Sequence, residues 1–160
     1  MTWPRSFGPT GPTVMERRAL LLRDGCTLDV IIRPDSKSAG AASAPEVLYK
    51  TAALIDTGAS KVCIDYRIAQ KLQLREIDQT TLHVVGGKIE AHLFLGELEV
   101  PGVDYRELVE FVAPKVGQLR YEALLGRSFL TNFMVTFDGP AGQVNFMRRT
   151  PELLQPYDEG

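Results

Sequence analysis

Asp56 stands in the run Ala53-Leu54-Ile55-Asp56-Thr57-Gly58-Ala59-Ser60. The apolar residues before it predict a buried strand that ends at the aspartate. A carboxylate presented there, on a tight turn, can take a proton from water or give one to a carbonyl oxygen. The residues that follow suit that task. Thr57 can hydrogen-bond to backbone and hold the turn. Gly58 lets another chain segment approach closely. Ala59 is small and leaves the carboxylate open. The tripeptide alone says little, because Asp and Gly are common turn residues at strand ends. A plain turn is the competing reading.

No second constellation of this kind stands out. Cys26 and Cys63 are the only cysteines, and His83 and His92 the only histidines. They form no CxxC, no HExxH and no repeated Cys/His spacing, so a zinc site is not expected. Cys63, between Val62 and Ile64, reads as a buried small side chain rather than a nucleophile. Two thiols without a dense framework suit a reducing compartment. A formal net charge of -2 offers no basic excess for nucleic acid or an anionic membrane. No apolar run approaches the roughly 20 residues of a membrane-spanning helix. Residues 1–18 include Trp3, Pro4, Gly8, Pro9, Gly11 and Pro12 and lack the apolar stretch of a secretory signal. They read as the flexible leader of a cytoplasmic protein.

The elements that must position Asp56 are mostly short strands. Residues 19–22 and 26–32 read as two strands around Arg23-Asp24-Gly25, a hairpin signal. Residues 33–46, rich in Ser, Ala, Gly and Pro, read as a long mobile loop inside the domain. Residues 47–55 predict the strand that leads into Asp56. Residues 65–74 carry Ile68, Ala69, Leu72 and Leu74 in an amphipathic helical pattern. Strand signals follow at 81–85 and 89–95, joined by Gly86-Gly87-Lys88. More appear at 97–100, 108–113, 134–137 and 144–147. Residues 123–125 are a brief apolar run, and 127–132 predict one or two helical turns. Residues 149–160 read as an extended tail. The pattern predicts one domain over 19–148, mostly β and barrel-like, with one or two short helices.

Two further segments give the Asp-Thr-Gly run its meaning. Val84-Val85-Gly86-Gly87-Lys88 follows it, and then Leu124-Leu125-Gly126-Arg127-Ser128-Phe129-Leu130. In this order the three motifs resemble those of the retropepsin-like aspartic peptidases, the family of the retroviral proteases and their bacterial and eukaryotic relatives. That pattern is apolar-Asp-Thr-Gly-Ala, then a glycine-rich flap, then two apolar residues and a glycine opening a short helix. The resemblance spans roughly residues 19–147. Its first and third parts are the specific ones.

The resemblance implies a small closed acid-protease barrel. It also implies a homodimer, because such enzymes need two facing aspartates and this chain has one Asp-Thr-Gly. Asp56 would be the catalytic carboxylate, acting on a polypeptide substrate without metal or other cofactor. Thr57 would hydrogen-bond across the interface. Leu125 and Gly126 would pack behind the loop formed by Asp56, Thr57, Gly58 and Ala59. Val85, Gly86 and Gly87 would form the substrate-binding flap, with His83 and His92 solvated on its stems.

Two departures from the family pattern matter. Ser60 and Lys61 stand where an acidic partner for Arg127 is often found, so Arg127 is expected to pair elsewhere, for example with an acid of the other chain. Ala59 replaces the serine of pepsin-like relatives, which implies a mildly acidic activity optimum. The alternative function is a retropepsin-fold module that dimerises or binds peptide without cleaving it. A small β-barrel bearing a chance motif is the third reading.

Overall fold

The computed structural model describes residues 1–4, 11–38, 47–116 and 120–148. In chain order its elements are β1 (Thr2–Trp3), α1 (Val14–Asp24), β2 (Thr27–Pro34), β3 (Tyr49–Ile55), β4 (Val62–Ile64) and α2 (Tyr66–Lys71). Then come β5 (Arg75–Val84), β6 (Gly87–Val100), a 3-10 turn (Pro101–Val103) and β7 (Tyr105–Pro114). The last are β8 (Ala123–Leu125), α3 (Arg127–Leu130), β9 (Phe133–Asp138) and β10 (Gln143–Arg148).

Strict alternation makes the barrel. In β2, Leu28, Val30 and Ile32 are buried, with Asp29 exposed between the first two. In β6, Phe94, Leu98 and Val100 keep the same period, so each strand turns one face to a shared interior. Strands β2, β3, β8, β4, β7 and β6 pair in that order, and β2 also pairs with β6. These six strands therefore close into a barrel, and β5 lies outside the ring as the partner of β6. The pairs β3–β8 and β4–β7 are parallel. Ile32, Ile64, Leu98, Phe111, Leu125 and Phe129 are all essentially inaccessible to solvent. Each such side chain stabilises the fold by about 1.5–3 kcal/mol relative to exposure. The result is a mostly β, closed barrel with a few short helices, as the resemblance implied.

Three expectations need correction. The strand expected at 19–22 is part of helix α1, and no hairpin spans Gly25. Thr13 caps the helix through the Glu16 backbone N–H, while the Glu16 carboxylate accepts from the Thr13 backbone N–H at 2.8 Å. This reciprocal pair satisfies donors that the first turn would otherwise leave open. Gly25 ends the helix, donating its N–H to the Leu21 carbonyl at 3.1 Å.

The boundary at residue 18 also shifts. Trp3 is buried in the hydrophobic core, and β1 pairs antiparallel with β10, Trp3 opposite Val144. The described part of the expected leader is therefore built into the domain, because the Trp3 ring has an apolar surface to cover. The third correction concerns the loop at 33–46. Arg33 and Pro34 belong to β2. Asp35 and Ser38 are buried, with Arg75 Nη2 donating to Asp35 Oδ2 at 3.1 Å and the Arg75 backbone N–H to Ser38 Oγ at 3.0 Å. That end of the loop is fastened to β5. Residues 39–46, and the expected tail at 149–160, lie outside the described residues.

Candidate active site

Asp56 follows directly on β3, whose last residue Ile55 pairs with Leu125 of β8. The strand end is held from both sides. The Ile55 N–H donates to the Cys26 carbonyl at 2.9 Å, and the Asp56 N–H to the Leu125 carbonyl at 3.1 Å. Asp56 is half-buried, while Thr57, Gly58 and Ser60 are exposed. The Gly58 N–H turns back onto Asp56 Oδ1 at 2.8 Å, and the Ala59 N–H reaches the Asp56 carbonyl at 3.3 Å. The carboxylate is thus fixed by its own turn, with the loop open to solvent on one side.

The segment from Leu125 to Ser128 closes the back of this loop. The Arg127 N–H donates to the Ala59 carbonyl and the Ser128 N–H to the Ser60 carbonyl, both at 2.9 Å. Gly126 makes this approach possible. A Cβ at that position would lie 2.2 Å from the Lys61 carbonyl oxygen and 2.7 Å from that of Ala59. The structure therefore brings together Asp56, Thr57, Gly58, Ala59, Leu125 and Gly126.

Arg127 finds its partners inside the same chain. Its Nη1 donates to the Thr57 carbonyl at 2.7 Å and to the Gly58 carbonyl at 3.1 Å. Backbone oxygens of the loop thus take the place of the acid missing at positions 60 and 61. Lys61 instead forms an ion pair with Glu110 on β7. Adjacency to Gly126 was visible in the sequence, but the reach of the guanidinium to two carbonyls was not. Cys63 is a neutral thiol: burial, and after it the Asp56 carboxylate, push it up to about 11. Cys26 is pushed up to about 12 by burial. Neither has the depressed thiol of a nucleophile.

The expected flap residues stand apart from this cluster in sequence, at the β5–β6 turn, where Val84 pairs with Gly87. Val85 is fully exposed at its tip. Gly86 and Gly87 have φ of +103° and +143°, a region that side chains disfavour. His83 is exposed near the tip. His92, expected in solvent, is buried. Its Nδ1 lies 2.8 Å from Glu76 Oε1, and its ring packs at 5.1 Å from that of Tyr66. That hydrogen bond is the main cause holding the Glu76 carboxyl below its ordinary range. The histidine thus ties the flap stem to α2, since the β-strand alternation at position 92 points inward.

A surface groove of about 520 Å³ lies along β7 and α3 and is lined by Lys61, Leu108 and Phe129 among others. None of residues 56–59 lines it. Among the described residues, no helix is long and apolar enough to cross a membrane.

The family model for gag-polyprotein putative aspartyl proteases matches residues 49–132, more than half of the chain, and includes both the Asp56 loop and the Leu125–Gly126 segment. The chain belongs to this retropepsin-like aspartic protease family. Several solved structures are similar to it at low identity. EIAV protease in complex with the inhibitor HBY-793 is 19% identical, over 69% of this chain and 88% of that one, with a TM-score of 0.49. A retropepsin-like aspartic protease from Rickettsia conorii is 19% identical over 76% and 91%, with a TM-score of 0.46. Simian foamy virus (mac) protease is 19% identical over 66% and 92%, with a TM-score of 0.43. A comparison with curated proteins finds no match. Within this member of the retropepsin-like family, the match covers β3 through α3 and leaves out β1, α1, β2, β9 and β10.

Proposed function

We propose that the protein is an aspartic endopeptidase, active as a homodimer in which each chain supplies one Asp56. The observation that carries this reading is the Asp-Thr-Gly loop fixed at the end of β3 and backed by Gly126, with its carboxylate half-buried and its flank exposed. One such loop per chain provides one carboxylate, and hydrolysis by an activated water needs a base and an acid together. A twofold axis next to Thr57 would supply the second group.

Two Asp56 carboxylates set about 3 Å apart share one proton, since both cannot readily ionise at that distance. The ionised partner takes a proton from a water lying between them. The protonated partner gives its proton to the scissile carbonyl oxygen. Water oxygen bonds to the carbonyl carbon, and a tetrahedral intermediate forms. As the C–N bond breaks, the proton taken from water passes to the leaving amine, and the partner that gave up its proton takes one from a hydroxyl of the intermediate, which leaves the carboxylic acid and restores the pair. Thr57 would hold the two loops together across the axis. The flap tip at Val85, Gly86 and Gly87 would close over an extended peptide bound through main-chain hydrogen bonds.

Two expected results arise here. Cleavage of an unfolded protein substrate is expected to peak at roughly pH 4 to 6, because Ala59 offers no hydroxyl to the carboxylate, and pepstatin-like compounds are expected to inhibit it. A peak near pH 2, or cleavage blocked by a thiol reagent but not by pepstatin, would count against the reading. At the flap, nothing lies within 4 Å of a Cβ built on Gly87, so only its backbone conformation opposes a side chain. Gly87→Val is expected to strain the tip locally by about 1–3 kcal/mol. KM for a peptide substrate should then rise several-fold, while the urea midpoint falls only by the amount that this strain accounts for. An unchanged KM would remove the tip from substrate binding.

A further inference from the structure

The Thr57 carbonyl and the Gly58 N–H belong to one peptide unit. That unit is planar and trans, so its oxygen and its N–H point to opposite sides. On one side the oxygen accepts from Arg127 Nη1 at 2.7 Å. On the other the N–H donates to Asp56 Oδ1 at 2.8 Å. We propose that Arg127 is a positioning residue for the Asp56 carboxylate, acting through the peptide unit between Thr57 and Gly58. The inference rests on the reading of Asp56 as the catalytic group.

The physical argument is polarisation. A cation hydrogen-bonded to a carbonyl draws electron density toward its oxygen, and the amide proton of the same peptide becomes a better donor. That proton is the one bonded to the carboxylate. Arg127 also donates to the Gly58 carbonyl at 3.1 Å, which fixes the next peptide plane as well. Both bonds come from the same nitrogen, Nη1, so one charged donor group serves both carbonyls.

Other groups on the packed elements are engaged elsewhere. On β4 and just before it, Lys61 pairs with Glu110 and Cys63 is a neutral thiol beside Asp56. Asp65 receives Arg67 at the start of α2. Before β8, Glu122 accepts from the Tyr49 and Thr51 hydroxyls. Lys50 stands at the other end of β3 from Asp56. Among the described residues, Arg127 is the cation whose side-chain donor meets the Asp56 loop directly.

The test compares full-length wild type with Arg127→Gln, which keeps a neutral donor, and Arg127→Lys, which keeps the charge. Three readouts are followed: the 13C titration of the Asp56 carboxyl, the Gly58 amide proton shift, and the acidic limb of the cleavage profile. For Arg127→Gln the acidic limb is expected to move to higher pH, because the relayed bond that favours the ionised carboxylate is weakened. The Gly58 amide proton is expected upfield. Arg127→Lys should recover most of both shifts. Added salt should leave the difference in place, because a relayed bond is not screened as a through-space field is. A loss of thermal stability with no change in the Gly58 amide or the carboxyl titration would overturn the proposal and leave Arg127 a simple brace. Absence of cleavage by wild type would defeat the peptidase reading instead, and the two spectroscopic readouts would still decide the relay.

Discussion

Asp56→Asn is expected to abolish peptide cleavage and to leave the fold and the dimer in place. Asparagine has nearly the same shape and keeps an oxygen to accept the Gly58 N–H, which now bonds to Asp56 Oδ1 at 2.8 Å. The loop contacts to Leu125, Arg127 and Ser128 all run through backbone atoms or the arginine side chain and do not involve the carboxylate. What disappears is proton transfer. General acid–base catalysis contributes about 10²–10⁴-fold per positioned group, and the symmetric substitution removes both roles at once. A fall of at least about 10³-fold is therefore expected. Sedimentation and far-UV spectra should match wild type. The non-catalytic module makes the opposite forecast, because wild type and variant would both assemble and neither would cleave. Comparing cleavage of an unfolded substrate by the two proteins separates these readings.

Gly126→Ala is expected to be the most damaging single methyl in the site. The added carbon would lie 2.2 Å from the Lys61 carbonyl oxygen and 2.7 Å from the Ala59 carbonyl oxygen. Both obstacles are backbone, so no rotamer change relieves the clash. Either β8 and α3 withdraw or the loop after Asp56 moves. Each route strains the bonds from Arg127 to Ala59 and from Ser128 to Ser60, now 2.9 Å. Overpacking of this severity costs about 3 kcal/mol or more, read as a lower urea midpoint. Cleavage should fall beyond what the lost stability explains, since the displaced loop carries the carboxylate. A variant within about 0.5 kcal/mol of wild type, the range of an ordinary surface substitution, would mean that Gly126 does not set the approach.

The site was legible where chemistry and backbone constraint coincide. Asp56-Thr57-Gly58 and Leu125-Gly126 are short, local and in fixed order, and the structure joins them through β3 and β8. The strands β6, β7, β9 and β10 were legible as apolar strand-like runs, although β6 runs unbroken through the gap expected before residue 97 and β5 begins at Arg75, six residues before the strand expected at 81–85. Helix α1 was missed for a physical reason. Leu20-Leu21-Leu22 before Asp24-Gly25 fits a hairpin as well as a helix end. The capping box of Thr13 and Glu16, a local signal present in the sequence, decides for the helix. Trp3 was missed because two residues give no periodicity, and its place depends on Val144 far along the chain. The partners of Arg127 and His92 likewise depend on tertiary approach.

Subunit mixing tests the central claim most directly, that each chain holds half of one site. Wild-type and Asp56→Asn chains would be co-refolded at varied ratios and total concentration held fixed. If both carboxylates are required, the specific activity falls as the square of the wild-type fraction. An activity that falls in direct proportion to that fraction would show that one Asp56 suffices, and would contradict the shared site.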